Sequence, residues 1–296
     1  MTGTPAAARL RRLIEHDTIV LPGAFSALTA RAIEKAGFEA IYLSGAALAN
    51  GTLGVPDIGL TTLSEAAAHA ARCAAVTAIP ILGDADTGFG GPENAARTVE
   101  EFERAGLAGL HLEDQEFPKR CGHLPGKRLV PVDEFVEKLR AALAARRDPH
   151  FLIIARTDAR GVTGYDEAVA RAHAYLKAGA DAIFPEALES KEEFARFARD
   201  LTPPGANRPA PLLANMTEFG KTPCLRVDEF AALGYAMVIF PMTLLRVAMK
   251  ALEQTLAELK RTGTQNGLLD RMQTRQELYD LLDYDPTAPW PRPPRG

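Results

Sequence analysis

Acidic side chains follow two consecutive apolar segments of the sequence. Asp84 and Asp86 follow the first segment, and Glu113 and Asp114 follow the second. Alternate residues of a strand share a face, so Asp84 and Asp86 should point the same way. Converging carboxylates repel one another unless a cation or protons are present, and Mg²⁺ commonly takes one or two carboxylates together with water and substrate oxygens. The pattern favours a magnesium site at these residues over a pair that merely caps a helix.

A cysteine lies among cations in the segment that begins with Glu113. Residues 113–128 read EDQEFPKRCGHLPGKR, and the prolines and glycines indicate a loop around Cys121. The flanking cations are Lys119, Arg120, His123, Lys127 and Arg128. Positive surroundings lower the pKa of a thiol and make it a usable nucleophile or acid, and a glycine-rich loop can close as a lid. We therefore expect a reacting thiol here, in preference to an incidental cysteine in a solvent-facing loop.

These residues need a scaffold that brings the ends of separate segments together. Short apolar segments alternate with longer helical patterns, as buried parallel strands and crossover helices do. They begin at Thr18, Ala40, Pro80, Gly109, Phe151, Asp181, Pro211 and Ala236. Four helical patterns end in a glycine just before a strand, where a left-handed cap stops a helix. These glycines are Gly37, Gly106, Gly179 and Gly234.

Eight such units predict an α/β fold of the (β/α)8 barrel type, although an open, doubly wound sheet gives similar alternation. Polar residues at the strand ends favour the barrel, which gathers those ends into one ring. They are Ser44, Asp84, Asp86, Glu113, Asp114, Arg156, Asp158, Glu186 and Asn215. We expect one domain over residues 1–284, including a long helix from Pro241 to about Thr262 and a shorter helix around MQTRQELYDLL. The proline-rich tail, residues 285–296, is predicted to be disordered.

The composition argues against several classes of protein. Lys and Arg number 34 against 38 acidic residues, a net charge of −4, and no long basic run indicates a nucleic-acid partner. No apolar run approaches the roughly 20 residues of a membrane-spanning helix, so no membrane partner is expected. The three cysteines are widely spaced without a CxxC pair, which argues against a disulfide framework or thiolate zinc site. A cytoplasmic location fits this pattern.

Three motifs together resemble the isocitrate lyase and phosphoenolpyruvate mutase superfamily. They are YLSG at 42–45, DADTGFG at 84–90 and KRCGH at 119–123, and the Cys-Gly-His loop is typical of the lyases within the superfamily. LGVPD, ARTDA, FPEA and ANMTEFG extend the resemblance from about Pro22 to Tyr284. It implies a Mg²⁺-dependent lyase that cleaves a 2-methylisocitrate-like tricarboxylate to pyruvate and succinate.

The resemblance also implies roles for individual residues. Asp84 and Asp86 would hold the magnesium, and Cys121 would protonate the carbanion left by cleavage. The other implied catalytic residues are Tyr42, Glu113, which would support the water shell of the metal, His123 and Arg156. Tyr42 or a magnesium-linked carboxylate would be the base.

The implied substrate-binding residues fall into two groups. Those near the nascent pyruvate are Ser44, Gly45 and Ala46, with Arg156 and Glu186 beside them. Gly122 would line the closed lid, and Asp57 would complete the site. Those on the succinate side are Asn215, Met216, Thr217, Arg246 and Arg275. The assembly implied is a homotetramer whose C-terminal helices reach across to a neighbour.

The substrate is less closely defined than the reaction. The family's usual Ser-Gly-Gly is Ser44-Gly45-Ala46 in this chain, and the extra methyl could narrow the pocket. A sister lyase acting on isocitrate or 2,3-dimethylmalate is therefore an alternative, since one methyl group in a pocket changes specificity by only about 1 to 3 kcal/mol. A non-catalytic barrel that binds a small dicarboxylate is an alternative of another class, but it would need no protonating thiol.

Overall fold

Eight parallel strands form the centre of the molecule. The computed structural model describes residues 4–287. Its strands are β1 Ile19–Ala24, β2 Ile41–Leu43, β3 Ile81–Asp84, β4 Gly109–Glu113, β5 Leu152–Thr157, β6 Ala182–Pro185, β7 Leu213–Asn215 and β8 Met237–Phe240. Each predicted segment forms one strand, and most strand residues are buried, as continuous apolar segments covered on both faces should be.

The sheet closes into a barrel. The strand order is β6-β5-β4-β3-β2-β1-β8-β7, and a parallel bridge between Ile183 and Leu212 joins the two ends. The bridge includes a hydrogen bond from Ile183 N–H to the Pro211 carbonyl, at 3.0 Å. The predicted (β/α)8 barrel is confirmed, and the open sheet is wrong.

Helices surround the barrel and follow its strands. They are α1 Ala6–His16, α2 Ala27–Lys35, α3 Gly45–Ala47, α4 Leu63–Ala74, α5 Pro92–Arg104, α6 Val132–Ala145, α7 Tyr165–Ala178, α8 Lys191–Asp200, α9 Val227–Ala232, α10 Thr243–Thr262 and α11 Arg275–Leu282. The four glycines predicted to stop helices all have left-handed φ angles, of 88°, 90°, 110° and 82° in chain order. Such angles are easy for glycine, which has no Cβ.

Helix α1 covers the N-terminal end of the barrel. Leu10 is fully buried. The Arg11 guanidinium lies 2.7 Å from Asp181 Oδ1 and donates to the His150 carbonyl at 2.8 Å. Asp181 and His150 lie just before β6 and β5, so these contacts place α1 across the ends where those strands begin.

The C-terminal helices extend beyond the barrel. Helix α10 has 20 residues, of which Leu245 is buried. Helix α11 contacts α2, where the Lys35 ammonium lies 2.9 Å from Asp283 Oδ1. Both helices lie where they were expected. Residues 288–296, most of the tail predicted to be disordered, lie outside the described residues, and the domain boundary stays a prediction.

Within residues 4–287, no helix combines the length and the apolar character needed to cross a bilayer.

Candidate active site

Asp84, at the C-terminal end of β3, is the centre of a hydrogen-bonded cluster. Its Oδ2 accepts from the Gly45 N–H at 3.0 Å and from the Tyr42 hydroxyl at 3.4 Å. The pKa of Asp84 is lowered to about 2 because His111, Lys119 and Arg156 outweigh its burial, which acts the other way. Asp84 is therefore held as a carboxylate at the barrel mouth.

Tyr42 and His111 form a buried pair beside Asp84. The Tyr42 hydroxyl lies 2.8 Å from His111 Nε2. Burial lowers the pKa of His111 to about 4, so the imidazole is neutral near pH 7. Burial, with Asp84 next in effect, raises the pKa of Tyr42. Tyr42 therefore keeps its proton and acts as a hydrogen-bond donor.

Asp86 faces the ammonium of Lys119 across the mouth. The two lie 2.7 Å apart, without hydrogen-bond geometry at Asp86 Oδ1, and the same ammonium contacts Asp57. The pKa of Asp86 is raised to about 6 by burial, and the charges of Asp84 and Asp57 add to the rise while Lys119 opposes it. Accumulated negative charge is thus costly here, and a cation relieves it.

Glu113, at the end of β4, adds a further carboxyl group. Its Oε1 is buried and has no hydrogen-bond partner in the described part of the chain. Burial raises the pKa of Glu113 well above its usual value.

These oxygens suit a hard divalent cation. Among residues 4–287, no three His, Cys, Asp or Glu side chains are placed to hold a metal ion. A cation at Asp84 and Asp86 would therefore complete its coordination with water and substrate oxygens, as Mg²⁺ commonly does. The donor set fits magnesium.

Arg156 connects the ends of three adjacent strands. Its Nε donates to Asp158 at 2.9 Å and lies 3.3 Å from Glu113 Oε2, while its Nη2 lies 3.4 Å from Glu186 Oε2. Glu186 also accepts from Asn215 Nδ2 at 3.1 Å. Although burial raises the pKa of Glu186, Arg156 and His123 more than offset it, so the net shift is downward. A fixed positive charge thus lies among buried carboxylates, where a substrate carboxylate could be bound.

The loop between β4 and α6 lies over this ring as a lid. Its two sides meet in a bridge between Gln115 and Leu129. At the tip, a Cβ on Gly122 would lie 2.4 Å from Glu186 Cγ and 2.6 Å from Arg156 Nη2, so a larger residue cannot occupy this position without movement. His123 Nε2 lies 3.0 Å from Glu186 Oε1. The lid is closed in this structure.

Cys121 lies on the lid, and its pKa is raised. Burial is the main cause, and the charge of Glu186 adds to it. The predicted lowering was wrong because the neighbouring cations pair elsewhere: Lys127 with Asp158 at 2.8 Å, and Arg128 with Glu116. A thiol that keeps its proton suits an acid better than a nucleophile.

Asp114 does not join the ring, and this expectation was wrong. Its Oδ2 accepts from Tyr175 and Thr157, each at 2.8 Å, and lies 3.1 Å from Arg171. Consecutive strand residues point to opposite faces, so Asp114 points outward where Glu113 points inward. It anchors α7 to β5.

The remaining predicted substrate residues lie at different distances from the ring. Ser44 is buried and accepts from the Ala47 N–H at 3.2 Å, and the Ala46 side chain packs against the small cluster of Ala47, Met242 and Leu245. Met216, which follows β7, is buried, and Thr217 beside it is half-buried.

Two predicted arginines lie further out. Arg246 is 45% exposed, with its Nε 3.3 Å from Glu218 Oε2. Arg275 is exposed at the first residue of α11, which packs against α2 outside the barrel. The structure therefore does not bring Arg275 to the mouth of its own chain.

Two features of the site were missed at the level of sequence. One is the direction of Lys119, which was counted as a cation near the thiol but faces the acidic residues. The other is the loop after β7, whose Lys221 N–H donates to His123 Nδ1 at 3.1 Å. The motif ANMTEFG includes Gly220, but it does not indicate this contact, because only the folded chain shows that a Cβ on Gly220 would lie 2.5 Å from His123 Nδ1.

The fold and the site define a (β/α)8-barrel enzyme for small carboxylate substrates. The chain belongs to the phosphoenolpyruvate phosphomutase family, part of the isocitrate lyase and phosphoenolpyruvate mutase superfamily, whose sequence profile matches residues 10–260. Relatives that are 2-methylisocitrate lyases place it with the lyases of that superfamily.

Two curated relatives cover most of the chain. It is 58% identical to "Probable 2-methylisocitrate lyase 1" of Corynebacterium glutamicum, over 90% of this chain and 85% of the relative. It is 53% identical to 2-methylisocitrate lyase of Aeropyrum pernix, over 93% of this chain and 86% of that enzyme.

Solved structures agree with this relationship. 2,3-Dimethylmalate lyase superposes with a TM-score of 0.88 at 40% identity, covering 95% of this chain and 92% of the other. Phosphonopyruvate hydrolase, in complex with oxalate and Mg²⁺, superposes with a TM-score of 0.84 at 30% identity, covering 95% of each chain.

Proposed function

We propose that this protein cleaves 2-methylisocitrate to pyruvate and succinate and requires Mg²⁺. The observation that carries the proposal is a protonated thiol, Cys121, on a lid closed over a ring of carboxylates and one buried arginine. The identity to curated 2-methylisocitrate lyases supports this choice of substrate. A non-catalytic binding barrel would have no use for the thiol.

The residues that would hold the metal are Asp84 and Asp86. A divalent cation bound there would withdraw electron density from a substrate hydroxyl and lower its pKa. Asp57 and Glu113 would accept hydrogen bonds from water around it. The presence of Mg²⁺ in the phosphonopyruvate hydrolase complex supports magnesium as the cation.

Glu113 is the better of the candidate bases. Tyr42 holds its proton because burial raises its pKa. The Glu113 Oε1 is buried at the mouth and has no hydrogen-bond partner among the described residues, so it is available to a substrate hydroxyl. It would accept the proton of the substrate hydroxyl.

The bond that breaks joins the hydroxyl-bearing carbon to the carbon that becomes part of succinate. The electron pair of the O–H bond forms the ketone of pyruvate, and the pair of the broken bond passes to the succinate carbon next to its carboxylate. Arg156 opposes the negative charge that develops. Cys121 then donates its proton to that carbon, and the proton on Glu113 returns through solvent to restore the thiol.

A side-by-side assay tests the choice of substrate. Methylisocitrate, isocitrate and 2,3-dimethylmalate are compared for release of pyruvate and glyoxylate at equal enzyme concentration. We expect methylisocitrate to give the highest kcat/KM, with pyruvate as product. Glyoxylate from isocitrate as the dominant product would reject this substrate, and higher kcat/KM with dimethylmalate would favour the sister lyase represented among the solved structures.

The metal requirement has its own test. We expect EDTA to abolish pyruvate release and added Mg²⁺ to restore it, because the carboxylate pair alone cannot polarise the substrate hydroxyl. Full activity in metal-free buffer would overturn the assignment.

The proposal extends to assembly and location. We propose a homotetramer with exchange of C-terminal helices, supported by the apolar face that α10 exposes. Met249, Leu252, Leu256 and Leu259 recur along one side of this helix and are 38–56% exposed. A cytoplasmic location is supported by Cys73, Cys121 and Cys224, which are all free thiols.

A further inference from the structure

Lys119 is the lid residue that reaches into the acidic cluster. Its side chain is 4% exposed, its ammonium lies 2.7 Å from Asp86 Oδ1, and it also contacts Asp57. Asp57 belongs to a different loop, which packs against the lid. A Cβ on Gly59 in that loop would lie 2.9 Å from the Phe117 ring and 3.6 Å from the backbone nitrogen of Lys119. Lys119 therefore joins two loops through a shared charge.

The ammonium remains charged in this position. Asp86 and Asp57 both face the ammonium, and two adjacent negative charges favour its charged form. The acidic cluster thus contains a cation supplied by the chain itself, attached to the segment that covers the site.

We propose that Lys119 is a built-in counter-cation that competes with the divalent metal for Asp86, so that lid closure and metal binding oppose each other in the substrate-free protein. This inference rests on the proposed function in one respect, that Asp86 is a metal ligand. It adds a positioning role for Lys119 and an order of events for the lid.

The competition follows from charge and distance. Two cations beside one carboxylate repel each other strongly, and more so away from water. A metal at Asp86 displaces the Lys119 ammonium, so the lid loses its anchor in the acidic cluster and keeps only its contacts through His123. By thermodynamic linkage, the factor by which metal weakens lid closure equals the factor by which the closed lid weakens metal binding.

Substrate removes the conflict. Its carboxylates add negative charge to the ring, so the metal and the ammonium can both be neutralised at the same time. The expected order is that the lid opens to admit the metal and closes again when substrate is bound.

The test compares two lid variants in the substrate-free protein, Lys119→Met and Arg120→Met. Each removes one positive charge from adjacent positions, but Arg120 is exposed, and the contact of its backbone N–H with Gln115 does not depend on the side chain. Mn²⁺ binding is measured by isothermal titration and by the electron paramagnetic resonance signal of free Mn²⁺. We expect Lys119→Met to bind Mn²⁺ about tenfold more tightly than wild type, within the usual range of coupling between sites, and Arg120→Met to stay within about twofold.

A second measurement needs only the wild-type protein. Trypsin should cut the lid at Arg120, Lys127 or Arg128 faster when Mn²⁺ is added without substrate, and more slowly when succinate and Mn²⁺ are both present. Faster cutting with metal alone supports the competition, while unchanged or slower cutting overturns it.

The outcomes separate this inference from the metal assignment. If wild type and Lys119→Met bind Mn²⁺ equally, or the variant binds more weakly, the Lys119 inference fails and the metal site stands. If neither protein binds Mn²⁺, the metal site and the inference fail together.

Discussion

At the scale of single residues, the direction in which a charge points decides its effect. Five cations flank Cys121 in the sequence, yet its pKa is raised because burial dominates and the cations Lys119 and Lys127 are directed at Asp86 and Asp158. Spacing along the chain identifies which residues are neighbours but not which way their side chains turn. The raised pKa is also what distinguishes an acid from a nucleophile at this position.

The acid role of Cys121 can be tested by exchanging sulfur for oxygen. A serine hydroxyl gives up its proton far less readily than a thiol, so Cys121→Ser should lower kcat by about 10²- to 10⁴-fold, the usual contribution of a positioned general acid. Pyruvate release measures the loss, and the thermal midpoint should not change. Cys224→Ser is the matched control, since that thiol is exposed; an equal loss in both variants, or none in Cys121→Ser, would contradict the role.

His111 predicts how stability depends on pH. Below pH 6.5 the unfolded chain binds a proton at His111, whereas the folded chain does so only near pH 4. Folding stability therefore falls as the pH drops through this window, by about 3 kcal/mol from this group at one pKa unit per 1.36 kcal/mol. Urea unfolding of wild type and His111→Gln at a series of pH values checks this. Between pH 7 and pH 4, the free energy of unfolding of the variant should fall by about 3 kcal/mol less than that of wild type. Parallel profiles for the two proteins would refute the role of His111.

At the scale of elements, the lid can approach the ring closely because Gly122 has no side chain. Gly122 lies against Glu186 and Arg156 so closely that any Cβ must displace one of them. His123, the next residue, joins the lid to the loop after β7 through the Lys221 N–H. Closure thus depends on two loops that meet above the mouth.

The close approach of Gly122 leads to a direct prediction. Gly122→Ala should hold the lid partly open and lower kcat/KM by about 10²-fold, the scale of a 1 Å misplacement at a reacting centre. The thermal midpoint should stay within a degree or two of wild type, because the added methyl strains a loop and not the core. Gly91→Ala is the control, since its Cβ would meet only Glu93 Oε2, at 3.7 Å. Wild-type kinetics for Gly122→Ala would show that the lid does not close this far during turnover.

The elements themselves could be predicted from sequence, and the details of the site only in part. Buried parallel strands are nearly continuous apolar segments, so β1 to β8 are recognisable, and the glycines that end helices mark the repeat. The outward direction of the Asp114 side chain follows from the alternation of side chains along a strand, and could have been derived from its position next to Glu113. The partners of Lys119 and Lys127 could not, because long side chains choose partners from other loops only once the barrel has closed.

At the scale of the whole molecule, α10 has an apolar side that the single chain leaves exposed. Met249, Leu252, Leu256 and Leu259 are spaced three or four residues apart, the pattern of one helix face. A contiguous apolar patch of this kind commonly marks an interface between proteins. A second copy of the chain would cover it in the proposed tetramer.

The proposed assembly depends on this face. Leu252→Glu combined with Leu256→Glu should shift the mass measured by light scattering from tetramer to smaller species, because two buried charges in an apolar interface are costly. Lys260→Glu, at an exposed polar position of the same helix, is the control and should leave the mass unchanged. A wild-type monomer would contradict the assembly outright.

The position of α1 bears on the route by which substrate enters and products leave. Leu10 is buried and Arg11 binds Asp181 and the His150 carbonyl over the end where the strands begin, so we expect substrate and products to pass through the opposite end, which the lid covers. Both products would then leave through the same end of the barrel by which the substrate entered. We expect the lid to open and close once in each turnover, so the rate of lid opening sets an upper limit on kcat however fast the chemical step is.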